Sequence, residues 1–159
     1  MNNAQYWIDS LNLTPHPEGG YFKESIRQPS TEINRAAFSS IYFLLTPNDI
    51  SHFHRIDADE VWYYHDGQSL TIHMITPDGK YESVQLGPNI EAGEVMQYTV
   101  PKRTIFASSL EHGEGFCLVG CMCHPAFEYE QFELFERNEL NQMYPEHQTV
   151  IDKYALKHK

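Results

Sequence analysis

Between Tyr21 and Met122 the chain alternates short runs rich in Val, Ile, Tyr, Phe and Thr with clusters of turn residues. The turn clusters are "TPND" at 46–49, "HDGQ" at 65–68, "TPDGK" at 76–80 and "LGPN" at 86–89. The runs at 20–27, 36–45, 51–56, 60–65, 69–75, 81–86, 95–100, 104–109 and 115–122 read as strands. Their roughly 8–12-residue spacing is that of a sandwich or barrel, and no helical pattern separates them as a βαβ fold would require. Before them, Tyr6, Trp7, Ile8 and Leu11 sit at near-helical spacing and predict a short helix ending near Asn12. Pro15, Pro17, Gly19 and Gly20 then break the chain. After Phe132, "ERNELNQMY" and "HQTVIDKYAL" predict short terminal helices. The expectation is one all-β domain over 1–159, with a helix and arm at 1–27, a barrel core at 28–125 and an extension at 126–159.

Composition narrows the function classes. Apolar residues make up 41% and aromatics 13%, enough for a core rather than a disordered chain. The formal net charge of −11 repels phosphate backbones and anionic membranes, so neither nucleic acid nor a membrane is expected as partner. The three cysteines, Cys117, Cys121 and Cys123, have no disulfide-framework spacing. "MNNAQYWIDSLNL" lacks the basic and apolar regions of a signal peptide, and a cytoplasmic location is the expectation.

The chemistry concentrates in "SHFHRIDADEVWYYHDG" at 51–67. Side chains two apart on a strand share a face, so His52 and His54 are expected to point together. A hairpin through "RIDAD" brings back Glu60, Trp62 and Tyr64 on one face. Two imidazoles and a carboxylate form a ligand set for Zn, Mn, Fe or Ni, here His52, His54 and Glu60. The same residues without metal make a general base with its orienting partner. Solvent-facing polar residues on a strand are the competing reading. The flanking Phe53, Ile56, Val61 and Trp62 favour a pocket.

Further candidates come from elsewhere. Among Arg27, Arg35, Arg55, Lys102 and Arg103, an arginine can grip a phosphate or carboxylate through a bidentate fork, with Arg35 and Arg55 the candidates for phosphate, though surface charge balance is the commoner use of any single one. Glu18 and Tyr21 flank a Gly19–Gly20 bend and can face a pocket or a second subunit. His73 and Gln97 are polar residues on strands, which need partners or a ligand if they face inward. "CLVGCMCHP" at 117–125 offers Cys121, Cys123 and His124 to a metal, but no second ligand pair exists, and buried core thiols are the expectation.

"HFHRIDADEVWYYHDG" resembles the first motif of the cupins: His-x-His, a gap, Glu, six residues, Gly. With "PHPEGGYFKES", "SSIYFLLTP" and "LVGCMCHPAFEYEQFEL", it is similar to the cupin branch called domain of unknown function 985, across nearly the whole chain and in the family's order. The resemblance implies a double-stranded β-helix, or jelly-roll, barrel and a homodimer. The aromatic strand at 38–45 adds to the dimer expectation, since it needs burial and an unpaired edge in a small barrel is a liability. Cupins include isomerases, nucleotide-sugar epimerases, oxygenases and binding domains, and the fold does not choose among them. The second cupin motif departs here. In "GEVMQYTVPKRTIFASSL", Gly93 and Pro101 have seven residues between them where the family has five. Arg103, Phe106 and Leu110 replace the motif's later Gly, His and Asn.

What the resemblance and the residues together imply is a pocket for a sugar or sugar nucleotide. An isomerase or epimerase would use His54 as base, Glu60 as its partner or a metal ligand, Tyr64 as opposing acid and Arg35 or Arg55 on the phosphate. The alternatives are a non-catalytic carbohydrate- or nucleotide-binding module, and a metal-dependent oxygenase.

Overall fold

The structure is a computed structural model and describes residues 2–30 and 34–159. Two antiparallel sheets face each other. One holds β1 (Thr14–Pro15), β2 (Tyr21–Gln28), β3 (Phe38–Leu45), β10 (Cys117–His124), β5 (Asp59–Gly67) and β8 (Gln97–Val100), in the spatial order β1-β2-β3-β10-β5-β8. The other holds β4 (Ser51–Arg55), β6 (Leu70–Ile75), β7 (Tyr81–Leu86), β9 (Ile105–Leu110) and β11 (Glu133–Leu134), in the order β11-β4-β9-β6-β7. The long crossings between sheets make this a jelly roll, built as two open sheets rather than the closed barrel expected. Every run read as a strand is one. The short β1 and β11 were not foreseen, because two residues carry no periodicity.

Alternation within strands builds the layers. Phe43, Trp62 and Val119 of the first sheet meet Ile72, Met74 and Phe106 of the second in the central core. The central strand β6 is buried along its whole length, because helices cover its outer face. There Phe53, Ile75 and Ala107 pack under Leu140 of α2 (Arg137–Met143) and Ile151 of α3 (Gln148–Tyr154). On the outside of the first sheet, Leu44 and Leu118 pack under Trp7 and Ile8 of α1 (Ala4–Ser10). That helix starts where the Asn3 side chain accepts the Tyr6 N–H at 2.9 Å, a normal N-cap.

The strand expected to present an unpaired edge, β3, lies between β2 and β10 and is paired on both sides. On that side of the first sheet β2 is open along most of its length, since β1, the one described strand beyond it, covers only Tyr21 and Phe22; β8, β7 and the short β11 are the other terminal strands. No described helix is long and apolar enough to cross a membrane.

Candidate functional site

A cavity of about 210 Å³ opens between the sheets, near the turn at 16–20 and the segment at 127–132. Buried polar groups, Glu18, His54 and Glu60, gather at its blind end beside Cys121 and Cys123, while the buried Ser39 accepts the Phe127 N–H through its hydroxyl. Phe22, Ile41, Phe127 and Phe132 form much of the wall, and Glu24, Arg27 and the exposed Tyr129 stand at the mouth.

Local backbone chemistry places Glu18. Gly19 has φ +113°, and a Cβ there would lie 1.8 Å from the Ile50 carbonyl oxygen, so only glycine lets the turn approach β4 this closely. His52 then latches the turn. Its backbone N–H (2.8 Å) and its Nδ1–H (2.7 Å) both donate to the Glu18 carbonyl. β4 carries a bulge: Ser51 pairs with Ser108 and His54 with Phe106, three steps on β4 against two on β9. The extra residue breaks strict alternation, so His52 and His54 do not share the cavity face as expected.

His54 is 4% exposed. Its Nδ1–H donates to the His52 carbonyl at 2.7 Å, and Nε2 lies 2.8 Å from Glu18 Oε2. Burial alone would lower its pKa, but the adjacent Glu18 carboxylate outweighs burial and raises it. Conversely, burial pushes Glu18 up, while His54 outweighs that and holds it below the usual carboxylate range. Glu18 Oε2 is buried and has no well-aligned hydrogen bond, so the contact with His54 is a close but bent ion pair. His16 is neutral, since its Nδ1 accepts the Glu18 N–H at 3.1 Å and burial lowers its pKa. The 3.4 Å approach of that same nitrogen to Glu18 Oε1 is therefore not a charge pair.

Glu60 faces this pair from β5. Trp62 Nε1–H donates to Oε2 at 3.2 Å, and the Cys123 thiol donates to Oε1 at 3.7 Å. The indole bond is long and the thiol is a weak donor. Burial, reinforced by the negative charge of Glu18, raises its pKa to about 7, so Glu60 exchanges its proton near neutrality. The cysteines have thiol pKa values pushed up by burial, and Cys121 and Cys123 serve as uncharged wall.

The structure thus brings together Glu18, His54 and Glu60 from three separate segments and leaves the other expected site residues elsewhere. Tyr64 packs at the far end of the core and its hydroxyl donates to the Gly67 carbonyl at 2.6 Å. Arg35 is spent on Asp57 (2.7 and 2.8 Å) and the Ala126 carbonyl. Arg55 pairs with Glu133 at 2.7 Å and lies over the Phe135 ring, on the outside of β4. His73 lies on the outer face of its sheet under α3, Gln97 is exposed on the edge strand β8, and Tyr21 packs under α1. Each departs for the same reason: strand alternation or a strong local partner turns it from the cavity. His16, Phe127, Tyr129 and Phe132 are wall residues that sequence reasoning did not assign, whereas Arg27 was among the candidate arginines. The aromatic run in "AFEYEQF" was the one visible signal for Phe127, Tyr129 and Phe132.

The metal triad expected of His52, His54 and Glu60 is not assembled. His52 turns to the Glu18 carbonyl, and Phe106, where the second cupin motif has histidine, packs its ring against that of His54, tilted by 53° with centroids 4.1 Å apart. Among the described residues no three His, Cys, Asp or Glu side chains are grouped to share an ion. The donor set therefore does not fit Zn, Mn, Fe or Ni as predicted.

The protein-family model described as Cupin superfamily (DUF985) matches residues 5–135. The chain belongs to this cupin family. A Saccharomyces cerevisiae relative, the uncharacterized protein YML079W, is 31% identical over 149 residues, covering 81% of this chain and 73% of its own. Protein SO0799 of Shewanella oneidensis superposes with a TM-score of 0.95 at 46% identity, covering 99% of this cupin and 100% of that chain. A hypothetical protein of Leishmania major gives 0.91 at 41% identity, over 98% and 100%. Oxalate decarboxylase of Bacillus subtilis gives 0.60 at 16% identity, over 91% of this cupin and 37% of that chain. At that identity the likeness speaks for the fold alone.

Proposed function

We propose that this cupin catalyses proton transfer beside the carbonyl of a small sugar-like molecule, as an isomerase or epimerase. The observation that carries the reading is the buried Glu18–His54–Glu60 group at the blind end of an otherwise largely apolar cavity. Abstracting such a proton needs a base and stabilisation of the developing oxyanion. Glu60 is suited to be the base, since its proton exchanges near neutrality. His54 is not suited to be the base, because Nδ1 is committed to the His52 carbonyl, Nε2 lies against Glu18, and Glu18 favours its cation; it acts on the developing oxyanion through its positive charge, not through a free N–H. Glu60 takes the C–H proton, the electron pair moves onto the carbonyl oxygen, and His54 stabilises that oxygen. Return of the proton to the carbonyl carbon, as the hydroxyl proton on the deprotonated carbon passes to the original carbonyl oxygen, isomerises the substrate; return to the opposite face of the deprotonated carbon, after the planar intermediate turns over at Glu60, epimerises it. Neither needs a redox partner.

The test follows solvent deuterium incorporation by NMR for a panel of aldoses and ketoses in D₂O. Exchange by the wild type that falls by roughly 10²-fold or more in Glu60→Gln is the expected result. Saturable binding without exchange makes the protein a non-catalytic binding module, and exchange that survives Glu60→Gln removes Glu60 as base.

A further inference from the structure

We propose that the cavity selects an uncharged, hydroxylated ring of about one monosaccharide unit, and that Glu24 enforces this choice by occupying Arg27. The inference names the substrate class of the site described above, but it concerns binding and stands whether or not turnover occurs.

Arg27 is the only lysine or arginine lining the cavity among the described residues. The Nε–Nη2 edge of its guanidinium, the bidentate fork, is not available to a ligand anion. Nε and Nη2 donate to the two Glu24 carboxylate oxygens, each at 2.9 Å, and Nη2 donates again to the Phe127 carbonyl at 2.8 Å. This fork has the bidentate geometry that would otherwise grip a phosphate. The other positive group, His54, is held against Glu18. Arg35 and Arg55, the arginines expected to hold phosphate, do not line the cavity: Arg35 is committed to Asp57 and the Ala126 carbonyl, with Nε 3.8 Å from the wall residue Glu128, and Arg55 to Glu133. Glu18, Glu24, Glu60 and Glu128 line the same space, so an entering anion meets carboxylates without a free cation.

The blind end asks for donors instead. Glu18 Oε2 is buried with only the bent contact to His54 and the Ser51 hydroxyl beside it, and Glu60 accepts only an indole N–H and a thiol. Hydroxyls supply donors to both, while the aromatic and aliphatic wall packs against the apolar faces of a ring. Size agrees: the cavity of about 210 Å³ exceeds the roughly 150 Å³ that admits benzene, yet it cannot enclose a ring joined to a nucleoside diphosphate. The diphosphate would have to lie at the mouth beside Glu24 and Glu128.

Saturation-transfer NMR and calorimetry would compare free pentoses and hexoses, their phosphate monoesters, and glucosamine. Wild type is expected to bind at least one free sugar, with the matching phosphate weaker by roughly tenfold or more. Glu24→Gln frees the Arg27 fork and should close or reverse that gap. The double variant Glu24→Gln/Arg27→Gln should restore the exclusion. Glu24 is a partly exposed surface side chain, and thermal unfolding would verify that the variants are folded. The proposal is overturned if wild type binds phosphates as tightly as free sugars, if no free sugar binds, if glucosamine is preferred over the neutral sugars, or if Glu24→Gln leaves the gap unchanged. Binding of free sugars without deuterium exchange would retain this inference and remove the proton-transfer reading.

Discussion

His54 and His73 are buried to nearly the same extent, 4% and 5% exposed, on strands of the same sheet, yet their surroundings drive them in opposite directions. His73 bonds through Nδ1 to the Tyr81 hydroxyl and through Nε2 to Ser109 Oγ, each at 2.9 Å, and stacks on Tyr154 with centroids 4.0 Å apart. Both of its ring nitrogens are satisfied without charge. Burial therefore dominates and lowers its pKa to about 4. His54 is raised instead, because Glu18 and Glu60 stand where His73 has mostly hydroxyls. Burial alone is no sign of function; a buried imidazole becomes a candidate for chemistry when its partners make the charged form affordable.

Removing the carboxylate should break the contrast most strongly. Glu18→Ala leaves a buried imidazole that either loses its charge or holds it unpaired, at a cost of about 3–5 kcal/mol. Urea unfolding at pH 6 would measure the loss, and imidazole NMR should show His54 titrating below its usual range, as His73 does.

Acid should act on His73 next. Its folded pKa lies below the unfolded value of 6.5, so the unfolded chain takes up the proton first. Its stabilising contribution is full above 6.5 and declines as the pH falls toward 4, by about 3 kcal/mol in all. His73→Ala should flatten the pH dependence of unfolding in that window without changing ligand binding in the cavity. His54 has the opposite sign: with a raised pKa, its contribution is full below 6.5 and lost as the pH rises through the folded pKa.

Glu60→Gln should sharpen the picture from the alkaline side. A carboxyl raised to about 7 is held protonated by the fold after the unfolded chain has ionised, so rising pH between 4.5 and 7 costs stability. The amide should stabilise the protein at pH 8 by about 3 kcal/mol relative to wild type, and the gain should vanish near pH 4.5. Chemical denaturation at the two pH values checks both halves. The smallest effect belongs to Arg55→Ala: its pair with Glu133 is largely exposed and should be worth less than about 1 kcal/mol, with no change in ligand binding.

Much of the architecture was legible because burial on a pleated strand writes itself into the residue pattern. The runs at 36–45, 69–75 and 81–86 are strands, and the apolar spacing of Tyr6, Trp7, Ile8 and Leu11 is a helix laid on a sheet. Gly19 and Gly20 likewise announced the turn beside Glu18. The cupin family was readable in the order of the motifs. The site was only partly readable. His54 and Glu60 were visible as histidine and carboxylate in an aromatic setting, and Glu18 as a neighbour of the bend, but their meeting depends on contacts across distant segments. One extra residue in β4 turned His52 from cavity ligand to backbone latch, and local patterning does not register such a bulge. The fates of Arg27, Arg35 and Arg55 were decided by which carboxylate lay within reach after folding. Strand pattern is a property of neighbours along the chain. Charge state and ligand class are properties of neighbours in space, and only the tertiary structure supplies those.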